Sequence, residues 1–344
     1  MARPRIYVTR RLPGPCFERL LREFDAIVWP EWRHPPYEVL IKEAKKGYDG
    51  FVTLLTDRID CGFISTAAAN GTRIISQYAV GYDNINVDCA TRHGVYVTNT
   101  PNVLTEATAE LTWALILAAA RHVVQADRYV KSGEWFRSGT GWHPELFLGL
   151  ELRGKTLGII GFGRIGRAVA RIGAKGFGMR VLYYSRHRAP REVEEEIGAE
   201  YASLDDLLRR SDVVSIHVPL TPETRGMIGE RELRIMKPTA ILVNTARGAV
   251  VDPDALVRAL REGWIAAAGL DVFHEEPLPP DHPLTRLDNV VLAPHIGSAT
   301  YEARQAMTCA VLDNLLAFKE GKVPPNLVNP EVAERVPPGF TRGD

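Results

Sequence analysis

Short apolar, β-branched runs recur along the first hundred residues, at 6–9, 51–55, 73–77 and 95–99. Each is bounded by polar or turn-forming residues and is too short for a helix. Between them, at 15–24 and 59–70, apolar positions return with helical spacing instead. Runs that are apolar on every residue suit strands buried on both faces, so the pattern predicts an α/β architecture with parallel sheets. Thr100-Pro101-Asn102 then interrupts, because proline disfavours helix at the residue before it. A long helix is predicted over 105–121, with Glu106 near its positive end. A second series of strand-like runs follows at 156–161, 181–185, 212–217, 240–245, 266–271 and 290–293. A last helix over 301–319 leads into a proline-rich tail that reads as a strap.

Composition narrows the functional classes. The 344 residues allow two domains, and the formal net charge of zero gives no global attraction to nucleic acid or acidic lipid. The longest apolar run, 114–120, is far too short to span a bilayer, and no apolar segment follows the first basic residues. The expectation is a cytoplasmic protein. Cys16, Cys61, Cys89 and Cys309 lie far apart with no C-x-x-C pair. Their spacing argues against a zinc site or a disulfide framework and suits a reducing compartment.

The first run of the second series ends in Gly161-Phe162-Gly163-Arg164-Ile165-Gly166, and helical spacing of Ile165, Val169 and Ile172 follows. In a strand–turn–helix context this is a dinucleotide signature. Gly161 permits the tight turn, Gly163 lets backbone approach a pyrophosphate, and Gly166 lets helix and strand pack closely. The phosphates would meet the helix N-terminus, where N–H groups and the dipole favour negative charge. An NAD site places an acid at the end of the next strand, yet this chain reads Tyr183-Tyr184-Ser185-Arg186-His187-Arg188. Ser185 and Arg186, with His187 or Arg188 nearby, would donate to a 2′-phosphate. NADP(H) is therefore the expected cofactor, with NAD(H) tolerated.

Three polar residues close other predicted strands: Arg247 in Asn244-Thr-Ala-Arg-Gly248, Glu276 in Asp271-Val-Phe-His-Glu-Glu-Pro277, and His295 in Pro294-His-Ile-Gly-Ser298. In open α/β sheets the carboxyl ends of strands face the ligand crevice. Together with Val80-Gly81, Asn99-Thr100-Pro101, Trp142-His-Pro144 and His217-Val-Pro-Leu-Thr221, these stretches resemble the D-isomer-specific 2-hydroxyacid dehydrogenases over nearly the whole chain. The likeness is strongest to the glyoxylate and hydroxypyruvate reductase branch.

The resemblance implies two Rossmann-like domains: a doubly wound, parallel-sheet cofactor domain over 101–294, and a flavodoxin-like substrate domain from 1–100 plus 295–335. It implies a site in the cleft between them, closed by a hinge. His295 would be the general acid in reduction of a small 2-oxo acid, and Glu276 would orient that imidazole. Arg247 would bind the substrate carboxylate with its planar fork. The backbone at Val80 and Gly81 would hold the same carboxylate, Leu54 and Leu55 would form an apolar wall, and Trp142 would reach a partner subunit's pocket. His217, Pro219, Thr245, Ala246, Arg247, Asp271, His295 and Gly297 would contact the cofactor, Asp271 facing the nicotinamide amide. The 105–121 helix would pair two cofactor domains in a homodimer. The resemblance also admits 3-phosphoglycerate dehydrogenase and a dinucleotide-sensing corepressor as alternatives. Glu276 argues against formate dehydrogenases of the family, which carry Gln there.

Overall fold

The computed structural model describes residues 3–340. The chain divides into two compact units, Met1–Leu104 with Ala299–Asp344, and Thr105–Ser298. The first is built on β1 (Arg5–Val8), β2 (Asp25–Val28), β3 (Gly50–Thr53), β4 (Ile74–Gln77) and β5 (Tyr96–Thr98). All pair in parallel, in the order β2-β1-β3-β4-β5. That order is the flavodoxin-like one. Strand alternation sends Ile6, Val8, Val52, Ile74 and Tyr96 into one buried cluster. Tyr7, Phe51, Ile75 and Val97 enter the cluster on the other face. With both faces covered, every residue of these central strands is apolar or internally paired, which is why they read as unbroken runs.

The second unit contains β6 (Thr156–Ile160), β7 (Arg180–Tyr184), β8 (Ala199–Tyr201), β9 (Val213–Ile216), β10 (Ile241–Asn244), β11 (Ala267–Leu270) and β12 (Val290–Leu292). The parallel order is β12-β11-β10-β9-β6-β7-β8. The chain winds outward from β6 through β7 to β8, then returns to β9 on the other side of β6. This reversal of winding is the switch point at which doubly wound sheets open a ligand crevice, beyond the carboxyl ends of the strands.

The apolar pattern misses two strands, β2 and β8. Both lie at sheet edges, and β2 alternates between exposed and partly buried residues while β8 keeps only Ala199 buried. An edge strand has one unpaired side and needs no continuous apolar run. The crossings between units fall after Leu104 and Ser298 rather than after 100 and 294. The later second crossing has a local cause, because the amides of His295, Ile296 and Gly297 are all hydrogen-bonded to Asp271 in the second unit.

The cysteines correct the expectation drawn from their spacing. Cys16 and Cys309 form a disulfide, as do Cys61 and Cys89. Helices Pro15–Glu23 and Tyr301–Lys319 pack together, which brings the Cα atoms of Cys16 and Cys309 to 5.1 Å across a sequence separation of 293. The second bond joins helix Cys61–Ala69 to helix Val87–Arg92. Spacing along the chain detects only local pairs, whereas helix packing decides distant ones. Among the described residues no cysteine is free, so thiol usage no longer supports a reducing compartment. Among the same residues no single helix is long and apolar enough to cross a membrane.

The helix Thr105–Ala120 buries Ala109, Trp113, Leu115, Ile116 and Ala119 in the core of its own unit. Large exposed apolar side chains follow it instead, at Val123, Val130, Phe136, Trp142 and Leu148.

Candidate active site

Six parallel strands of the second unit deliver the candidate residues to one edge of the sheet. At the end of β6, Gly161 has φ +96°, a left-handed conformation that L side chains avoid, and a Cβ there would lie 2.6 Å from the His217 carbonyl carbon. A Cβ at Gly166 would lie 2.1 Å from the Gly161 oxygen, so the 14-residue helix Arg164–Phe177 starts hard against the turn. At Gly163, by contrast, a Cβ would meet nothing within 4 Å. The turn is thus open at Gly163, next to the first helical residues Arg164, Ile165 and Gly166, whose N–H groups have no partner inside the helix. This cradle fits a pyrophosphate.

His217 follows β9, and its N–H donates to the Ile160 carbonyl at 2.7 Å. Burial pushes its imidazole down to about 3, so the ring is neutral, with Nε2 2.8 Å from the Ser215 hydroxyl. Pro219, two residues on, is exposed, and its carbonyl accepts from the Thr224 hydroxyl.

Past β7, the basic turn is not uniform. Arg188 grips Glu194 with Nε and Nη2, each 2.9 Å from a carboxylate oxygen. Tyr183 donates to the same carboxylate at 2.5 Å and stacks on Phe162 of the glycine-rich turn, ring centroids 3.9 Å apart. The Arg188 guanidinium and the Tyr183 hydroxyl hold Glu194 down at about 2. Arg188 is thereby committed, and Ser185, Arg186 and His187 remain at the tip, with both basic side chains exposed.

At the end of β10, buried Asn244 pins the turn that follows: its Nδ2 donates to the Arg247 carbonyl at 2.9 Å, and its Oδ1 accepts from the Ala246 N–H at 3.0 Å. The Thr245 hydroxyl lies 2.9 Å from that of Thr112. Arg247 Nη1 donates to the Ala246 carbonyl at 2.8 Å, which bends the guanidinium back over its own turn.

Asp271 and Glu276 follow β11, and His295 follows β12. The Asp271 carboxylate accepts the Ile296 N–H at 2.7 Å and the Gly297 N–H at 2.8 Å. Burial pushes this carboxyl above its ordinary range, against the pull of those amides and of His295. His295 itself adopts φ +56° and donates its N–H to the Asp271 carbonyl at 2.8 Å. Its Nδ1 lies 2.7 Å from Glu276 Oε2, while Glu276 Oε1 accepts the Phe273 N–H at 2.9 Å. Burial opposes the Glu276 charge. The His295 ring, the Phe273 amide and the nearby Arg247 guanidinium outweigh it and hold the carboxyl below its usual range. With Nδ1 so engaged, Nε2 is the ring atom left for proton transfer.

In the first unit, Leu54 and Leu55 follow β3 and are partly exposed. Val80 and Gly81 follow β4. The Val80 carbonyl accepts from Asn99 Nδ2 at 2.8 Å, while the Val80 and Gly81 N–H groups meet no acceptor among the described residues. Trp142 is 85% exposed. Asn244, Gly248 and Thr112 also shape this edge of the sheet. The Asn and Gly flank Thr-Ala-Arg in the very stretch that marked the site, but their roles depend on contacts that spacing does not reveal.

A family model for the D-isomer specific 2-hydroxyacid dehydrogenase, NAD binding domain, matches residues 113–297. The chain belongs to this family. The dehydrogenase is 63% identical to the glyoxylate reductase of Aeropyrum pernix over 340 residues, 99% of this chain and 100% of that protein. It is 55% identical to the glyoxylate reductase of Thermococcus litoralis over 336 residues, 98% of this chain and 100% of that protein. Among solved structures it is similar to an NADPH-dependent glyoxylate/hydroxypyruvate reductase of Sinorhizobium meliloti in complex with NADP and malonate. That likeness has a TM-score of 0.83 and 33% identity, covering 100% of both chains. The dehydrogenase thus carries a nicotinamide-dinucleotide-binding domain on the seven-stranded sheet.

Proposed function

We propose that this dehydrogenase reduces glyoxylate, and also hydroxypyruvate, to the 2-hydroxy acid, preferring NADP(H) and tolerating NAD(H). The observation that carries the reading is the 2.7 Å contact between His295 and Glu276 beside the Arg247 turn. Glu276 orients the imidazole through Nδ1, and His295 gives its proton from Nε2 to the substrate's carbonyl oxygen. A reduced nicotinamide, when bound, supplies the hydride. Arg247 holds the carboxylate and polarises the adjacent carbonyl. Within the first unit, the unpaired amides of Val80 and Gly81 suit a carboxylate, and Leu54 and Leu55 suit an apolar wall beside a short substrate.

The cofactor preference is supported by the turn after β7. It lacks an acid, and with Arg188 taken by Glu194, Ser185, Arg186 and His187 are the donors offered to a 2′-phosphate. The substrate is supported by the relatives in Aeropyrum pernix and Thermococcus litoralis, both glyoxylate reductases. A homodimer is the proposed assembly, supported by the exposed Phe136, Trp142 and Leu148. Steady-state oxidation of NADPH with glyoxylate, hydroxypyruvate, pyruvate and 3-phosphohydroxypyruvate tests the assignment. Glyoxylate should give the highest kcat/KM. Superior use of 3-phosphohydroxypyruvate would reassign the substrate, and negligible turnover of all four would indicate a dinucleotide-sensing protein.

A further inference from the structure

A chain of side-chain hydrogen bonds, buried at Thr53 and Gln77 and half-buried at Asn84, joins the two loops of the first unit that carry Leu54 and Gly81. Thr53 and Gln77 are directly paired neighbours on β3 and β4, and both are fully buried at the carboxyl ends of those strands. A buried glutamine is costly unless each of its groups finds a partner. Here the Thr53 hydroxyl donates to Gln77 Oε1 at 2.7 Å, and Gln77 Nε2 donates to Asn84 Oδ1 at 2.8 Å. The Asn84 amide is thus oriented with Nδ2 outward. It donates to the Leu54 carbonyl at 3.0 Å and to the Asp57 carbonyl at 2.9 Å. The 54–57 turn is closed from its other side by Asp57, whose Oδ2 accepts the Leu54 N–H at 2.7 Å and the Thr9 hydroxyl at 2.5 Å.

The two segments meet again further along. Ile59 bridges Ile85, and Cys61 is bonded to Cys89. Those ties lie downstream of both loops, whereas Asn84 reaches the Leu54 peptide itself. Both polar groups of the Leu54 peptide are consumed inside the fold, so at that residue only the side chain is left for a ligand. The 80–84 loop opens with Val80 and Gly81, whose N–H groups meet no acceptor among the described residues. One loop offers an apolar wall and the other an anion cradle.

We propose that Asn84, oriented by Gln77, is a positioning residue that sets the spacing of these two loops and so the affinity for a short 2-oxo acid. This rests on the proposed function, which assigns wall and cradle to the same substrate. A two-carbon substrate makes few contacts, so a small drift of the cradle relative to the wall removes a large share of its binding. Proton transfer depends on His295 and Glu276, which belong to the other unit, and does not draw on Asn84.

Asn84→Ala, with the disulfides kept oxidised, tests this. KM for glyoxylate should rise about tenfold, as expected for losing two oriented hydrogen bonds. kcat should stay within about twofold and KM for NADPH should hold, because the remaining machinery is intact. Amide hydrogen exchange should quicken in 54–57 and 80–84. Gln77→Met, which keeps Asn84 but removes its holder, should shift the same parameters by less. An unchanged KM with unchanged exchange would overturn the proposal. A parallel loss of kcat and of NADPH affinity, with a lowered melting temperature, would overturn it too, as general damage. If the unaltered enzyme does not turn over glyoxylate, the proposed function falls separately, and the exchange measurement alone decides whether Asn84 joins the loops.

Discussion

Gly248 lies flat against the backbone of Phe273: a Cβ at 248 would sit 1.9 Å from the Phe273 carbonyl carbon and 2.4 Å from the His274 nitrogen. The contact joins the turn after β10, which carries Arg247, to the turn after β11, where the Phe273 N–H holds Glu276. Two residues of the proposed catalytic group are therefore registered by a position with no side chain. Gly248→Ala must push the turns apart, and overpacking of this kind costs roughly 1–3 kcal/mol. The expected result is a folded protein of lowered melting temperature whose kcat/KM for glyoxylate drops at least about tenfold. Wild-type efficiency in this variant would show that the two turns are not coupled.

The His295 ring, 2.7 Å away, helps hold the Glu276 carboxyl below its usual range. Under the proposed function, reduction requires the protonated ring, so activity should fall as pH rises. Glu276→Gln removes the negative charge beside Nδ1, and the high-pH limb of kcat/KM should move toward acid. A pH–rate profile superimposable on that of the unaltered enzyme would sever Glu276 from the acid.

With Arg188 locked to Glu194, cofactor choice should turn on Arg186. A charge-assisted hydrogen bond to a 2′-phosphate is worth about 1.5–3 kcal/mol, enough for a preference of roughly tenfold or more for NADPH. Arg186→Asp should invert that preference, mainly by raising KM for NADPH. Arg188→Asp should act instead on stability, by breaking its pair with Glu194. Equal efficiency of the unaltered enzyme with both cofactors would remove Arg186 from the 2′ position.

The Cys16–Cys309 bond ties the first helix to the long helix that returns near the end of the chain. Closing so long a loop restricts the unfolded chain, and its loss should cost about 2–4 kcal/mol. Cys16→Ala with Cys309→Ala should melt lower than the parent under oxidising conditions, and the two should converge in strong reductant. Identical melting in both conditions would mean that the bond adds nothing.

Local pattern alone carried much of this molecule. The central strands are legible because a parallel sheet covered on both faces admits few polar residues, and the turn at Gly161 is legible because a left-handed residue followed by a close helix start demands glycine at fixed spacing. Arg247, Glu276 and His295 could be singled out because parallel strands bring all their carboxyl ends to one edge. What the tertiary structure decided were contacts between different elements. The edge strands β2 and β8 carry no apolar signature, since half of each faces solvent. Arg186 and Arg188 are chemically alike, and only the approach of Glu194 commits one of them. Four scattered cysteines became two disulfides once helices packed, and Gly248 became obligatory only when Phe273 came to lie against it. Sequence spacing encodes neighbours within an element, whereas these relationships arise from packing between elements, where separation along the chain carries no information about distance.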